Sequence, residues 1–219
     1  MENTNVEGLQ KGNILRNDST FTRSYINLFP TTYLSFQANE QHQFTLNYGR
    51  RIDRPNYQSL NPFVFYIDNY TYQSGNPFLQ PQITGNVELT HVFKGFLSTT
   101  LNYSRTRDIF AESFTQDNFA TIVSISNIGT RTNYGAAVNA QIQAKKIFSS
   151  NIYFSYTHDQ FEGIVSGDPL NNSIDMFLIS INNQFKFNKG WSAELSGWYR
   201  TKGIEGQIIV NPLSQVTLV

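Results

Sequence analysis

The residues best suited to chemistry stand at the start of the longest predicted loop, which runs from Arg50 to about Gly85. Arg50, Arg51 and Arg54 surround Asp53 where a predicted strand ends. Because a guanidinium group binds phosphate or carboxylate through two parallel hydrogen bonds, this cluster could hold an anion. The alternative is a solvated rim whose ion pairs each contribute little, and the sequence favours that alternative.

Aromatic side chains crowd the same loop and form a second candidate binding surface. They could stack against sugars or peptides, or they could pack the loop onto itself. Packing is the favoured role, since a loop of this length needs a small core of its own. The aromatic residues of the loop are Tyr57, Phe63, Phe65, Tyr66, Tyr70, Tyr72 and Phe78.

Fixed turns are predicted to shape this loop. Proline fixes φ, and glycine permits a positive φ, so both favour defined turns. We expect these residues to give the loop its form and not to react. The loop-shaping residues are Pro55, Asn61, Pro62, Gly75, Asn76 and Pro77.

No set of residues predicts catalysis or a bound cofactor. The three histidines, His42, His91 and His158, lack metal-ligand spacing, and no G-x-S-x-G nucleophile accompanies the His158–Asp159 pair. The chain has no cysteine, which excludes disulfides, thiolate metal sites and cysteine nucleophiles. We therefore expect no enzyme and assign no cofactor.

Composition narrows the class of protein further. Sixteen basic and sixteen acidic residues give a formal net charge of zero, which removes the general attraction on which nucleic-acid binding depends. Hydrophobic residues make up 39% of the 219 residues and aromatic residues 15%, a bias that favours β-strands. No apolar run approaches the roughly 18 residues of a membrane-spanning helix, and the first residues lack the layout of a signal peptide.

Strands of period two dominate the chain. In the clearest one, Leu97, Thr99, Leu101 and Tyr103 point one way and the intervening polar residues point the other way. Four short polar turns alternate with longer links along the chain, which is typical of an antiparallel up-and-down sheet. The pattern predicts an all-β fold of roughly nine strands, many with the length needed to cross a bilayer. The predicted short turns are 39–42, 94–95, 145–146 and 188–190, and the predicted longer links are 50–85, a tip at 116–118, 162–172 and a region around Gly203.

Two architectures fit this alternation. One is a transmembrane β-barrel, whose apolar face meets lipid and whose polar face lines a lumen. The other is a water-soluble or surface-exposed β-sandwich that acts as a binding module, in the manner of an adhesin. Strand length, the alternating connections and the small or polar residues of the second face favour the barrel.

Long, position-specific segments stand out at residues 25–31, 48–63, 70–81, 101–106, 133–135 and 203–206. These segments resemble the outer-membrane β-barrel family that is common in Bacteroidetes, whose members look like TonB-dependent receptors. The similarity covers nearly the whole chain.

This resemblance implies a barrel of the outer membrane that is plugged by an N-terminal domain and imports a scarce nutrient with energy relayed by TonB. We expect residues 1–219 to form a single barrel domain that is incomplete at both ends, with no plug domain and with about nine strands of a larger barrel. The implied partners are outer-membrane lipid, the remaining strands and plug, TonB and an unidentified nutrient. Possible ligand contacts in the outer loop are Arg50, Arg51, Arg54, Tyr57, Tyr66, Tyr70 and Tyr72, and a lipopolysaccharide contact is a further interpretation of the arginines.

Overall fold

A computed structural model describes residues 2–10, 19–117, 119–145, 147–165, 167–205 and 208–219. Asn118, Lys146 and Gly206, which belong to a predicted link, a predicted turn and a segment of family resemblance, lie outside the described residues. The elements in chain order are β1 (Glu2–Gln10), β2 (Ser19–Asn27), β3 (Thr31–Asn39), β4 (His42–Asp53), α1 (Tyr57–Leu60), β5 (Val64–Tyr66), β6 (Thr71–Ser74), β7 (Gln82–Phe93), β8 (Leu97–Asp117), β9 (Ala120–Ala144), β10 (Phe148–Val165), β11 (Asp168–Lys186), a 3-10 turn (Asn188–Gly190), β12 (Ser192–Arg200), β13 (Gly203–Glu205), β14 (Ile208–Val210) and β15 (Leu213–Leu218).

Among the described residues, nine strands form one continuous antiparallel path, in the order β15-β12-β11-β10-β9-β8-β7-β4-β3. We call this path the wall. Each wall strand except the last pairs with the next wall strand along the chain, which confirms the predicted up-and-down topology of about nine strands. Strands β5 and β6 join the same sheet through parallel pairing of β6 with β9, while β1–β2 and β13–β14 form separate hairpins.

Short turns close one end of the wall, as predicted. The β7–β8 turn places Lys94 at φ 49° and Gly95 at φ 71°, the pair of positive angles that matches the twist of a tight hairpin. In the β3–β4 turn, the Asn39 side chain accepts hydrogen bonds from the backbone N–H groups of Gln41 and His42 at 2.9 and 3.0 Å. We call this end of the wall the turn end.

The opposite end differs from the prediction. Residues 162–172 are not a long link, because β10 and β11 stay paired as far as Val165 and Asp168. Polar side chains did not stop the strands there, since the backbone ladder satisfies its hydrogen bonds whatever the side chains are. The tip predicted at 116–118 is confirmed, since the β8–β9 hairpin reverses there and Asp117 pairs with Ala120. Strands β8 to β11, with 18 to 25 residues each, therefore extend beyond the 9–11 residues of a bilayer crossing, and we call this part the extension.

The apolar face of the wall is exposed, whereas the apolar face of a sheet in a soluble protein is buried. Leu34, Phe36 and Leu101 are 58%, 65% and 51% exposed on one face, together with Leu46, Phe154 and Ile179. The described residues form no second sheet that covers this apolar face. A β-sandwich would bury it, so the sandwich alternative is wrong for this chain.

Aromatic residues form two belts on the apolar face. The lower belt, at the turn end, contains stacked rings such as Phe44 and His91, whose centroids lie 4.6 Å apart. The upper belt contains pairs such as Tyr156 and Phe177 at 5.2 Å. The step from Phe148 to Tyr156 spans about 27 Å along the strand, or about 20 Å along the membrane normal at the usual tilt of barrel strands. The lower belt is His42, Phe44, His91, Phe93, Phe148, Phe185, Phe187 and Trp191, and the upper belt is Tyr48, Tyr103, Tyr134, Tyr156, Phe177 and Tyr199.

Helices play no part in this arrangement. The described helix α1 has four residues, and no helix in the described part of the chain is long and apolar enough to cross a membrane.

Candidate functional site

The polar face of the wall is built from side chains that pair across neighbouring strands. Residues directly opposite each other in an antiparallel ladder project to the same face, so one register places all of them together. Thr90 and Thr100 join β7 to β8 at 3.1 Å, and the Asn182 amide donates to Glu194 on β12 at 2.7 Å. These pairs hold the polar side chains in place along the inner face.

One such ladder ends in a charged pair. The Asn102 amide donates to Asn133 at 2.9 Å, and the Asn133 amide donates to Asp159 at 2.9 Å. The same oxygen of Asp159 accepts a hydrogen bond from Nε of Arg131 at 2.7 Å. The Asp159 side chain is 8% exposed whereas that of Arg131 is 40% exposed, so the carboxylate is buried beneath its partners while the arginine still reaches open space.

Arg131 also lies over an aromatic ring. Its guanidinium carbon is 5.5 Å from the centroid of Phe161, which is itself buried at 3% exposure. A cation over the face of an aromatic ring is attracted by the negative potential of that face. The carboxylate and the ring together fix the direction in which Arg131 points.

A cavity of about 720 Å³ opens beside this group, at the level where the extension begins. Arg131, Asp159 and Phe161 line it from β9 and β10, and Arg200 lines it from β12. The β13–β14 hairpin contributes apolar lining, and Gly203 at its start is buried. The cavity thus combines an apolar enclosure with charged groups, the usual composition of a site that binds a small molecule. The remaining lining residues are Gln82, Ile109, Phe110, Ala111, Glu112, Ile174, Met176, Ile204, Ile208 and Val210.

Arg200 is a further charged group of this cavity. Its Nε atom is buried and has no hydrogen-bond partner among the described residues. A buried donor without a partner costs about 1–3 kcal/mol, so an acceptor at this position would be favourable.

The sequence analysis did not single out Arg131, Asp159 or Arg200 as a site. Their shared polar face follows from the alternation of β9, β10 and β12, but their closeness depends on register across strands that are about 30 to 70 residues apart in sequence. The register pairs Arg131 with Phe161 directly and places Asp159 opposite Asn133.

The predicted loop-shaping residues form a network of backbone contacts in residues 54–81. Asn56 caps α1 by accepting from the N–H of Ser59 at 2.8 Å, and the N–H of Gly75 donates to the Asn61 carbonyl at 2.9 Å. A Cβ at Gly75 would overlap that carbonyl oxygen, so glycine is needed here because the backbone of Asn61 lies so close. The positive φ that we expected at Gly75 is not found. Pro62 offers its carbonyl to the Ser74 hydroxyl at 3.3 Å, and the Asn76 side chain accepts from the N–H of Phe78 at 2.9 Å. Pro55 and Pro77 lie in the irregular segments that flank α1 and follow β6.

The loop is attached to the extension at two places. Strand β6 pairs with β9 from Thr71 and Thr121 to Ser74 and Ser124. Further along, the Asn127 side chain accepts from the N–H of Gln80 at 2.8 Å and donates to the Gln80 carbonyl at 3.0 Å. These contacts hold the loop against the extension.

Most of the loop aromatics point away from this attachment. Tyr57, Tyr66 and Tyr70 are 80%, 82% and 68% exposed, and Phe63 and Phe65 are also exposed. Phe78 is exposed as well, so the expectation that the aromatic residues pack the loop is wrong for six of the seven rings. The attachment is made by backbone and amide groups instead. Tyr72 is half-buried, and its ring lies 6.2 Å from that of Tyr66.

The arginines at the start of the loop separate onto two faces. Arg50 and Arg51 both line a second cavity of about 480 Å³, but strand alternation places Arg51 on the polar face of β4 and Arg50, like Tyr48, on the apolar face. Arg54 lies in the irregular segment before α1. Two members of the cluster seen in the sequence therefore border one cavity, while their side chains belong to opposite faces of β4.

The geometry supports binding and supplies no reactive set. Among the residues that the structure describes, no group of three or more histidine and carboxylate side chains could hold a metal ion. The charged groups that line the cavity beside Arg131 are Asp159, which is bonded to Arg131, a second carboxylate, Glu112, and Arg200, whose Nε atom has a donor to offer. Such groups orient a ligand by its acidic or acceptor atoms.

Two solved structures contain a wall of strands similar to that of this chain. The FrpB iron transporter from Neisseria meningitidis (F3-3 variant) matches with a TM-score of 0.55 and 14% identity, over 90% of this chain and 32% of its own. The siderophore receptor PirA from Pseudomonas aeruginosa matches with a TM-score of 0.51 and 14% identity, over 92% of this chain and 44% of its own. At this identity the likeness shows the fold, and the chain spans between a third and a half of the length of these two proteins.

No protein of curated function is significantly similar to the chain in sequence. A family model, however, matches all of residues 1–219, and its description is outer membrane protein beta-barrel family. That match agrees with the exposed apolar face and the two aromatic belts, and it places the chain in the bacterial outer membrane. The chain belongs to the outer membrane protein beta-barrel family.

Proposed function

We propose that this chain is part of the barrel wall of an outer-membrane receptor that imports a nutrient. The observation that carries the proposal is the polar inner face with a charged, partly enclosed cavity near the extension, in a wall that resembles transport proteins. In outer-membrane barrels the short turns face the periplasm and the long connections face outward. The cavity then lies toward the outer mouth, where an incoming ligand arrives first.

The proposed role of the wall is to bind and guide. Arg131 and Arg200 are the proposed contacts for acceptor atoms of the ligand, and the apolar lining from β13 and β14 encloses the rest. The exposed loop residues Tyr57, Tyr66 and Tyr70 are proposed contacts at the entrance, together with Tyr72, Arg51 and Arg54. We assign no catalytic step to these residues.

The proposed partners follow from the same role. The remaining strands complete the barrel, a plug domain closes its lumen, and TonB supplies the energy for uptake. These partners and the nutrient are inferred from the likeness to the iron transporter and the siderophore receptor.

Deletion of the full-length gene tests the proposal. Growth of the deletion strain is measured on a panel of limiting nutrients, including several iron sources, and restored by the wild-type gene. We expect loss of growth on one nutrient class. In a separate uptake assay, collapse of the inner-membrane proton gradient should abolish the nutrient uptake that the wild-type gene restores. Equal growth and equal uptake of every labelled nutrient would overturn the proposal.

A variant pair then tests the cavity. Arg200→Gln removes the buried donor, while Gln141→Ala alters the inner face near the turn end, beside a different cavity. We expect the first variant to raise the concentration for half-maximal uptake about tenfold, the usual effect of one lost charge-assisted bond, and the second to leave it unchanged. Equal effects would show that the cavity is not the ligand site.

A further inference from the structure

Three arginines project from the lipid-facing side of the wall, just above the upper aromatic belt. Arg50 on β4 pairs with Gly85 on β7, and Gly85 pairs with Arg105 on β8. Arg50, Gly85 and Arg105 therefore form one row across the sheet. The row below it contains Tyr48, Val87 and Tyr103 on the same face. Arg107 stands one row further out, opposite Ile83.

The centre of this row is open. Gly85 has no side chain, and an added Cβ would meet no atom within 4 Å. Since neighbouring strands lie about 4.8 Å apart, the Cα atoms of Arg50 and Arg105 are separated by about 10 Å across that gap. Two guanidinium groups at this spacing can close on one tetrahedral anion from both sides.

The charges of these arginines are not neutralised within the described part of the chain. None of Arg50, Arg105 and Arg107 has an ion pair or a side-chain hydrogen bond with another described residue. Asp108 follows Arg107 at a bulge and is the nearest carboxylate in sequence.

The other carboxylates of this face are already engaged two or three strands away. Asp175 accepts from His158 at 2.8 Å and from Tyr156 at 2.7 Å, and Glu162 accepts from Gln160 at 2.9 Å. The patch therefore keeps a net positive charge at the depth where tyrosines give way to polar residues.

We propose that Arg50, Arg105 and Arg107 bind the phosphate groups of an anionic lipid in the outer leaflet of the outer membrane. The upper belt marks the level at which apolar chains end and headgroups begin. A phosphate at that level meets two arginines across Gly85 and a third one row above. The site holds lipid against the wall and does not depend on the proposed transport function.

The test uses the full-length receptor in nanodiscs with defined lipids. Native mass spectrometry counts the copies of diphosphoryl lipid A, monophosphoryl lipid A and phosphatidylcholine that remain bound after gentle activation. We expect retention in the order diphosphoryl, monophosphoryl, phosphatidylcholine. Equal retention of the three lipids would overturn the proposal, and so would displacement of lipid by millimolar inorganic phosphate, which would identify a site for the free ion.

A matched pair of variants locates the contact. Arg105→Gln removes one charge from the lipid-facing row, and Arg51→Gln removes one charge from the polar face beside it. We expect about tenfold weaker binding of lipid A to the first variant and unchanged binding to the second. Both proteins must keep the heat-dependent gel mobility of a folded barrel, and equal lipid retention by the two would contradict the proposal.

Discussion

The wall near the turn end and the extension share strands, but different kinds of side chain are buried in the two regions. Near the turn end, apolar residues such as Leu34 and Leu101 are exposed on the outside, and hydrogen-bonded polar residues occupy the inside. The buried hydrophobic residues of the described chain are Leu79, Ile128 and Phe161, which belong to the loop and to the outer parts of β9 and β10. One strand can therefore face lipid along one half of its length and pack into a small hydrophobic core along the other half.

The change occurs at irregular positions in the ladder. The β8–β9 register shifts between Thr106 and Ile109, and Gly129 has a φ of 126° where it faces Gly163. A Cβ at either glycine would overlap backbone of the other strand, so the two strands approach closely there. A bulge of this kind re-aims the side chains that follow it. The comparison shows that the solvent around a strand can change without a break in its pairing.

The largest effect is expected from truncation of a buried leucine, and truncation of a lipid-facing leucine provides the comparison. Leu79→Ala empties a buried position in the loop that is attached to the extension, and should destabilise that region by about 2–5 kcal/mol. Leu89→Ala, on the lipid-facing side, should cost less than about 1 kcal/mol because lipid chains fill the space. Hydrogen exchange of the loop and β9 amides in the full-length protein measures the loss of stability in each variant. Equal protection in both variants would mean that the two leucines do not lie in different surroundings.

A charge on the lipid-facing side gives the next effect. Leu101→Arg should cost about 2–4 kcal/mol, as a mid-bilayer arginine does in other barrels. Thr100→Arg points to the polar face and should cost only about 1 kcal/mol, mainly the lost hydrogen bond to Thr90. Reversible urea titration of folding into lipid vesicles compares the two. An equal cost would mean that the faces are not exposed to different surroundings.

The buried and exposed carboxylates provide a third comparison. Asp159→Asn removes the charge from a side chain that is 8% exposed and should destabilise the wall by about 1–3 kcal/mol. Asp175→Asn alters a side chain that is 58% exposed and paired with His158, and should change stability less, because water screens an exposed ion pair. Unfolding midpoints in detergent rank the two variants. The reverse order would show that the ladder through Asn133 does not support the wall.

The smallest effect on the whole protein is expected in the loop. Gly75→Ala places a Cβ against the Asn61 carbonyl and should open the loop to protease, while the midpoint of barrel unfolding stays the same. Gly49→Ala is the control, since its Cβ would meet nothing within 4 Å. Limited proteolysis of intact cells locates the cleavage. A lowered unfolding midpoint for Gly75→Ala would mean that the loop and the wall unfold together.

The sequence predicted most of the wall because its evidence is local. Alternation in Leu97–Tyr103 assigns faces residue by residue, and turn residues such as Lys94–Gly95 mark where a strand reverses. The outer ends of β10 and β11 were mistaken for a link, since polar side chains there resemble a loop although the backbone stays paired. The exposed loop tyrosines were expected to pack for a similar reason, because burial is a property of neighbours and not of residue type.

Local residue patterns were enough to predict the strand period, the two faces and the turns, and through them an all-β wall with an apolar outside. Which residues meet across strands became visible in the folded chain alone. Folding brought Arg131 and Asp159 together with Arg200 around a cavity, and it placed Arg50 and Arg105 on either side of Gly85. The physical reason is register: a pairing shift of one residue would send each of these side chains to the opposite face, and that register is set by contacts between distant segments of the chain.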